Sequence, residues 1–209
     1  MKSTIVFGML VVCFLFGCQN GTTTVNQAQV LEEILQNRRS IRQFSDQKVS
    51  DDMLMKILWA ANGVNREDGR RTAPSAVNAQ DIELYVCKGE GTYHYLPAEK
   101  QLEKVSDTDI RPFIVGHNQY ILNRLVVLLV SDQTKFVRAR GARTDMLGAM
   151  DAGYVSQNIA LYCVASGLAT VPCAPKMDVD AVREALKLPS TMLPMLYHPI
   201  GYPIPVDAE

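Results

Sequence analysis

The feature that most constrains the fold is a long, nearly uncharged stretch with helical spacing, residues 144–166. It contains many small residues, and Gly167 follows it where a helix would end. After Asp151 no charged residue occurs before Lys176. A helix on a protein surface carries a polar side facing water, and this one lacks it. The pattern therefore predicts a central helix that packs in the core and also against a second subunit.

Shorter patterns supply the elements around this helix. A first helix is expected over residues 25–37, and Ser50 is expected to cap a second that ends at Asn62-Gly63. Residues 82–87 and 92–96 predict a hairpin, and the apolar run 125–131 predicts a strand buried on both faces. The remaining expectations are a helix over 112–123, a basic, mobile-looking segment over 133–143, an extended segment over 168–175, a helix capped by Asp178 that runs to 186, and a strand over 195–201.

Composition narrows the class of protein. The chain has 209 residues, of which 47% are hydrophobic and 21% charged, as in an ordinary single globular domain. Its formal net charge of -1 supplies no positive field, which argues against a nucleic-acid-binding protein.

The first residues predict export. Lys2 precedes a short apolar run, and the run closes with Leu15, Gly17 and Cys18 in the spacing that resembles a bacterial lipobox. That resemblance implies a signal peptide over 1–17, lipid on Cys18, a flexible tether over 18–26 and a domain over 27–209. The protein would be an exported lipoprotein anchored to a membrane, on the periplasmic or the cell-surface side. An ordinary secretory signal and an uncleaved anchor are the alternatives.

The remaining cysteines and the histidines predict neither a disulfide framework nor a metal site. Outside the signal and the lipobox, the chain has three cysteines, an odd set without metal-ligand spacing. The three histidines lie far apart and lack the spacing of a zinc motif.

Three arginines and a serine lie close together in the chain: Arg38, Arg39, Ser40 and Arg42. A guanidinium can place two N–H donors on the oxygens of a dianion, so this composition suits a phosphate monoester. A solvated basic turn is the alternative.

A second informative stretch, residues 72–80, carries polar side chains but no charge after Arg71. Pro74 can begin a helical turn and Ser75 can cap it, which would leave backbone N–H groups and the amide of Asn78 facing a planar ligand. A polar connecting loop is the alternative.

Five motifs in order resemble those of one family. They are the arginine segment, Pro74-Ser75-Ala76-x-Asn78-x-Gln80, Asp151-x-Gly153 followed by Gln157-Asn158, Gly167-Leu168, and Ile200-Gly201-Tyr202-Pro203. Together they resemble the FMN-dependent nitroreductase family over residues 30–203. Residues 58–63 and 71–76 are most similar to the branch that contains the azoline oxidases of peptide biosynthesis.

The resemblance implies an α+β fold with a mainly antiparallel central sheet flanked by helices, and a homodimer with two FMN molecules at its interface. By the same resemblance Arg38, Ser40 and Arg42 contact the phosphate, with Arg39 nearby. Asn78 contacts the pyrimidine edge of the flavin, and Pro74 and Ser75 lie beside it. The segment Pro172-Cys173-Ala174 follows the isoalloxazine, with the Ala174 amide near the reactive N5 atom.

The chain departs from the family pattern in three places. Asp81-Ile82 stands where many members have Pro-Trp, and Pro175, which has no N–H, stands where many have Gly. The basic residue that often follows the Gly-Tyr-Pro segment is missing, and Arg124 or Arg143 of a partner chain is the expected substitute.

The resemblance predicts an enzyme without a catalytic side chain. NAD(P)H would reduce the FMN and leave, and a nitroaromatic, a quinone or a similar oxidant would react in turn. A non-catalytic lipoprotein that binds flavin or another small ligand is the second hypothesis. A third is an oxidase of azoline-containing peptides, which the export signal argues against.

Overall fold

The structure of the protein is a computed structural model that describes residues 26–115, 124–137, 141–174 and 177–204. The expected signal peptide, Cys18 and nearly all of the tether lie outside the described residues. Within the described residues no helix is long and apolar enough to cross a membrane.

Five α-helices flank the sheet in the described residues. Two of them begin at the side-chain cap expected from the sequence: the Ser50 hydroxyl accepts from the Met53 N–H, and the Asp178 carboxylate accepts from the Ala181 N–H. Both caps were predicted and are confirmed. The helices are α1 (Gln27–Asn37), α2 (Asp51–Asn62), α3 (Arg111–Val115), α4 (Ala142–Ala165) and α5 (Val179–Leu186).

One antiparallel sheet of six strands forms the centre, in the order β3-β2-β1-β4-β6-β5. It confirms the predicted α+β class with a mainly antiparallel sheet. The strands are β1 (Ile82–Lys88), β2 (Gly91–Leu96), β3 (Gln101–Ser106), β4 (Leu125–Asp132), β5 (Ala169–Thr170) and β6 (Met192–Gly201).

The predicted hairpin and the strand buried on both faces are confirmed. Strands β1 and β2 pair directly, and in β4 six consecutive residues are buried. Val127 and Leu129 pack on the side of α2 and α4, while Val126 and Leu128 pack on the side of α3 and α5. The sheet therefore has a core on each face, with β4 contributing to both.

Several expectations need correction. Strand β3 has no counterpart among them, because it is an edge strand of mostly exposed residues with no apolar run to detect. Strand β6 begins at Met192 rather than at residue 195. The helix expected over 112–123 is described only over Arg111–Val115, and residues 116–123 lie outside the described residues. The segment 133–143 contains a 3₁₀ turn and the first residues of α4, residues 138–140 lie outside the described residues, and the expected mobility of the segment stays a prediction.

The long helix α4 lies against the sheet and against α2, as its composition predicts. It ends in a Schellman motif, in which Gly167 at φ +69° lets the Leu168 N–H reach the Cys163 carbonyl. On the opposite side Met146, Met150 and Tyr154 are about half exposed, at 54, 50 and 46%. They recur every four residues, so they form one apolar stripe that the described chain leaves uncovered.

Candidate functional site

The arginine segment is an extended stretch between α1 and the start of α2. It is fixed to the sheet by the Ile41 N–H, which donates to the Thr170 carbonyl over 3.1 Å. Arg39 and Arg42 are exposed and Arg38 is half-buried. Among the described residues none of the three forms an ion pair, so their positive charges are available to a ligand.

The arginine segment and the segment 172–174 lie next to each other. Arg42 is close enough to Cys173 for its charge to lower the pKa of the thiol, although burial raises that pKa more strongly. The Cys173 backbone is fully paired with Tyr197 on β6, while Pro172 and Ala174 on either side are exposed. Two of the predicted contact sets therefore form one surface, called here the phosphate half-site.

The loop of residues 74–80 has an unusual backbone. Val77, Asn78 and Gln80 have φ values of 50, 55 and 51°. L-residues rarely adopt this left-handed region, and a β-branched residue such as Val77 is strained there. Strain of this kind persists only where neighbouring contacts hold it, and it concentrates at ligand sites. Val77 is also 83% exposed, so burial of its side chain does not explain the conformation.

The predicted cap in this loop is wrong. Ser75 precedes a 3₁₀ turn but makes no side-chain cap bond to it. Its hydroxyl accepts instead from the Gln80 N–H over 2.9 Å, which closes the strained loop on itself. The Gln80 side chain accepts in turn from Arg71 Nε over 3.0 Å. These bonds leave Asn78 exposed at the turn, as a ligand-reading amide requires.

Helix α4 holds the loop through the side chain of Asp151. Both oxygens of the Asp151 carboxylate, which is 1% exposed, accept from the Ala76 N–H, over 3.0 and 2.9 Å. Asp151 belongs to one of the five motifs, but no motif predicts its contact with the loop. The available signal was a carboxylate in a helix that carries no other charge beyond its first turn.

A second buried carboxyl, Asp81, lies beside Asp151. Asp81 Oδ2 accepts from the Ser131 hydroxyl over 2.5 Å, while its Oδ1 atom is buried without a partner among the described residues. Burial and the adjacent Asp151 raise the pKa of Asp81 to about 7, against a smaller lowering by Ser131. A proton on Asp81 would satisfy both the orphaned oxygen and the neighbouring carboxylate, because two carboxylates bond to each other only through a shared proton.

The loop and the phosphate half-site lie on different sides of α4. The loop is held by Asp151, whereas Thr170, which binds the arginine segment, is linked through His198 to Ser156. Asp151 and Ser156 are five residues apart, which corresponds to roughly 140° around a helix. Pro74, Ser75 and Asn78 therefore form a separate surface, called here the flavin-edge half-site.

The other predicted contributors are Arg124, Arg143 and Pro175. Arg124 is engaged within its own chain, because its guanidinium donates to the Phe44 carbonyl and to Asp46. Arg143 is exposed in the first turn of α4 and remains available. Pro175 lies outside the described residues.

His198 and Cys163 are buried in the core of the fold. His198 is fully buried between the hydroxyls of Ser156 and Thr170, and burial lowers its pKa to about 3, so it stays neutral. Cys163 is buried in the core, where burial raises its pKa to about 12. Among the described residues no group of three or more His, Cys, Asp or Glu is arranged to hold a metal ion.

The two half-sites fit an FMN molecule chemically. Guanidiniums that form no ion pair among the described residues suit its phosphate, and an exposed amide on a rigid turn suits the alternating donors and acceptors of its pyrimidine ring.

Comparison with known proteins agrees with this geometry. The family model described as the nitroreductase family matches residues 35–202. A protein of Methanocaldococcus jannaschii named as a nitroreductase is 30% identical, over 82% of this chain and 90% of its own length. An NADPH-dependent oxidoreductase of Staphylococcus haemolyticus is 26% identical over 82% of this chain, which spans 64% of that relative.

A solved structure has the same fold. The crystal structure of a protein from Ralstonia eutropha JMP134, also named as a nitroreductase, superposes with a TM-score of 0.75. The two chains are 28% identical, and the match covers 84% of this chain and 83% of the other.

Proposed function

This chain belongs to the nitroreductase family and is an oxidoreductase, and we propose that it uses FMN to pass hydride from NAD(P)H to a small oxidant such as a quinone or a nitroaromatic. The observation that carries the proposal is the pair of half-sites, each with the donors that one end of FMN requires. Bound FMN would supply the hydride chemistry, so that the two substrates react in turn at one position. The chain's own residues would bind, orient and exclude water.

We further propose that each FMN is shared between the two subunits of a homodimer. The half-sites lie on different sides of α4 within one chain, so a second copy can bring its flavin-edge half-site to the first copy's phosphate half-site. The uncovered stripe of Met146, Met150 and Tyr154 supplies an apolar surface of the kind that subunit interfaces bury. Asp151 then acts as the residue that positions Asn78 against the flavin of the neighbouring subunit.

Arg42→Ala should weaken FMN binding by about tenfold or more, because a charge-assisted hydrogen bond to phosphate contributes roughly 1.5–3 kcal/mol. Riboflavin lacks the phosphate, so its affinity should hardly change. Fluorescence titration of the apoprotein with both flavins measures the difference. Arg39→Ala is the matched control, because Arg39 already donates to the Gln36 and Arg38 carbonyls and should lose less affinity for FMN. Equal losses for FMN and riboflavin in Arg42→Ala would make the segment structural.

Mixed dimers test the sharing of the site. A subunit carrying Arg42→Ala and a subunit carrying Asn78→Ala each lack one half-site. If the site is shared, their heterodimer contains one intact site and one doubly damaged site, so FMN should bind with the original affinity at half stoichiometry. Heterodimers that bind no better than either parent would place both half-sites on one chain and remove the proposed sharing.

We also propose that the protein is exported and held at a membrane by lipid on Cys18, as the lipobox spacing indicates. Cys18→Ser should then transfer the protein from the membrane fraction to the soluble fraction of the cell. Cys13→Ser, in the same apolar run, is the matched control and should remain in the membrane fraction. Retention of the Cys18→Ser variant in the membrane fraction would refute lipid attachment at this position.

A further inference from the structure

A hairpin beside the flavin-edge half-site presents three arginines to one cavity. The cavity has a volume of about 340 Å³ and is lined by Arg66, Arg70, Arg71, Thr72, Ala73, Pro74, Ser75 and Asn78. The lining contains three arginines and no acidic residue. None of these arginines belongs to the segment that the sequence assigns to the FMN phosphate.

The hairpin is well fixed before any ligand binds. The Asn65 N–H donates to the Arg70 carbonyl over 3.0 Å, and a turn closed by Gly69 at φ +76° joins the two sides. The indole of Trp59 donates to the Val64 carbonyl over 3.1 Å, which attaches the hairpin to α2. A site built in this way loses little conformational entropy on binding.

Arg71 keeps N–H donors that have no partner among the described residues. Arg71 is half-buried, and its partners are two neutral oxygens, those of Gln80 and of the Asn62 carbonyl. Its Nη2 group has no partner in the part of the chain that the structure describes. Burial lowers the pKa of Arg71, against a smaller raising by the charges of Glu83 and Glu99, neither of which forms an ion pair with it among the described residues.

The two outer arginines are similarly available. Arg66 forms no ion pair within the described residues and donates only through Nε, to Asn65. Arg70 meets Asp68 at 3.4 Å, but both side chains are more than half exposed, so this pair is weak. A multiply charged anion can therefore compete with Asp68 for Arg70.

We propose that this cavity binds a phosphate monoester dianion of the reductant, the 2′-phosphate that distinguishes NADPH from NADH. Guanidinium forks fit the oxygens of such a dianion, and a single negative charge would leave two of the three cations without a partner. The inference rests on the proposed function, in which a nicotinamide donor approaches the flavin beside Asn78. The FMN phosphate is already assigned to the arginine segment, so this cavity is left for a second phosphate.

The test uses the purified full-length chain and three probes: adenosine 2′-monophosphate, adenosine and inorganic phosphate. Calorimetric titration should detect binding of adenosine 2′-monophosphate and none of adenosine. The double variant Arg66→Ala with Arg70→Ala should weaken that binding by at least tenfold. Lys48→Ala with Lys104→Ala removes the same charge from positions outside the cavity lining and should leave the affinity unchanged.

Other results of these titrations would change the ligand assigned to the cavity or overturn the site. Equal affinities for inorganic phosphate and adenosine 2′-monophosphate, both lost in the arginine variant, would support the anion site and overturn the dinucleotide as its ligand. No binding of either anion, or equal binding by the arginine variant, would overturn the site. Weakened FMN binding with unchanged riboflavin binding in the arginine variant would assign the cavity to the FMN phosphate instead. A protein that binds neither flavin would refute the proposed function, a result independent of these titrations.

Discussion

Asp81→Asn should make the protein more stable above pH 7, by about 2–4 kcal/mol, although the substitution removes a side-chain charge. The folded state raises the pKa of Asp81 from 3.8 to about 7. The unfolded chain therefore loses this proton near pH 4, whereas the folded chain retains it to about pH 7. The stability that Asp81 contributes is complete below about pH 4 and is lost as the pH rises through 7, at roughly 1.4 kcal/mol per unit of the shift.

Asparagine keeps the contacts of the protonated acid at every pH. Its carbonyl oxygen can accept from Ser131, and its amide can donate to the Asp151 carboxylate. Chemical denaturation of wild type and variant between pH 5 and 8.5 should show the two stabilities diverging as the pH rises. Glu103→Gln, on the exposed edge strand, is the matched control and should follow wild type.

The stability of the variant has to be compared with that of wild type at each pH, because His198 makes wild-type stability change with pH in the opposite direction. Burial lowers its pKa from 6.5 to about 3, so its contribution to stability is present above pH 6.5 and is lost as the pH falls toward 3. The wild-type curve therefore combines two opposing slopes. If Asp81→Asn parallels wild type throughout, the carboxyl pair does not share a proton.

The elements that the sequence predicted well were those with strong local signals. The apolar run of β4, the capped starts of α2 and α5, and the small-residue helix α4 each have a pattern that one segment carries alone. The edge strand β3 has no such pattern, because exposed strands need only hydrogen bonds from a neighbour. Composition and motif order also singled out the two segments of the phosphate half-site, whose role in binding stays a prediction.

What the sequence could not show is how distant residues meet. The pairing of Asp81 with Asp151 joins positions 70 apart in number. Its only sign in the sequence is Asp81 itself, which stands where the family often has proline. The arginine hairpin, residues 65–71, carries two acids as well as three arginines, and only the structure shows that the acids do not line the cavity. The separation of the two half-sites depends on which side of α4 each segment contacts, and no local pattern specifies that.

Gly148→Ala should destabilise the protein by about 1–3 kcal/mol, against the usual gain from replacing a helical glycine. An added Cβ would clash with Ser131 Oγ and would lie 3.0 Å from both Ser131 Cβ and Met195 Cε. The Met195 side chain can move, but the Ser131 hydroxyl is held by Asp81. The helix must therefore shift or the Ser131–Asp81 bond must break. Gly153→Ala on the same helix is the matched control, because no atom of the described chain lies within 4 Å of its added Cβ.

A double-mutant cycle identifies the cause of the loss. Ser131→Ala removes the atom nearest to the new Cβ, so the combined variant should be more stable than the sum of the two single changes predicts. Additive losses would place the strain elsewhere. A shift of α4 would also move Asp151 away from the Ala76 N–H and release the turn that carries Asn78. We therefore expect Gly148→Ala to weaken both FMN and riboflavin binding, because the flavin edge rather than the phosphate contact is disturbed.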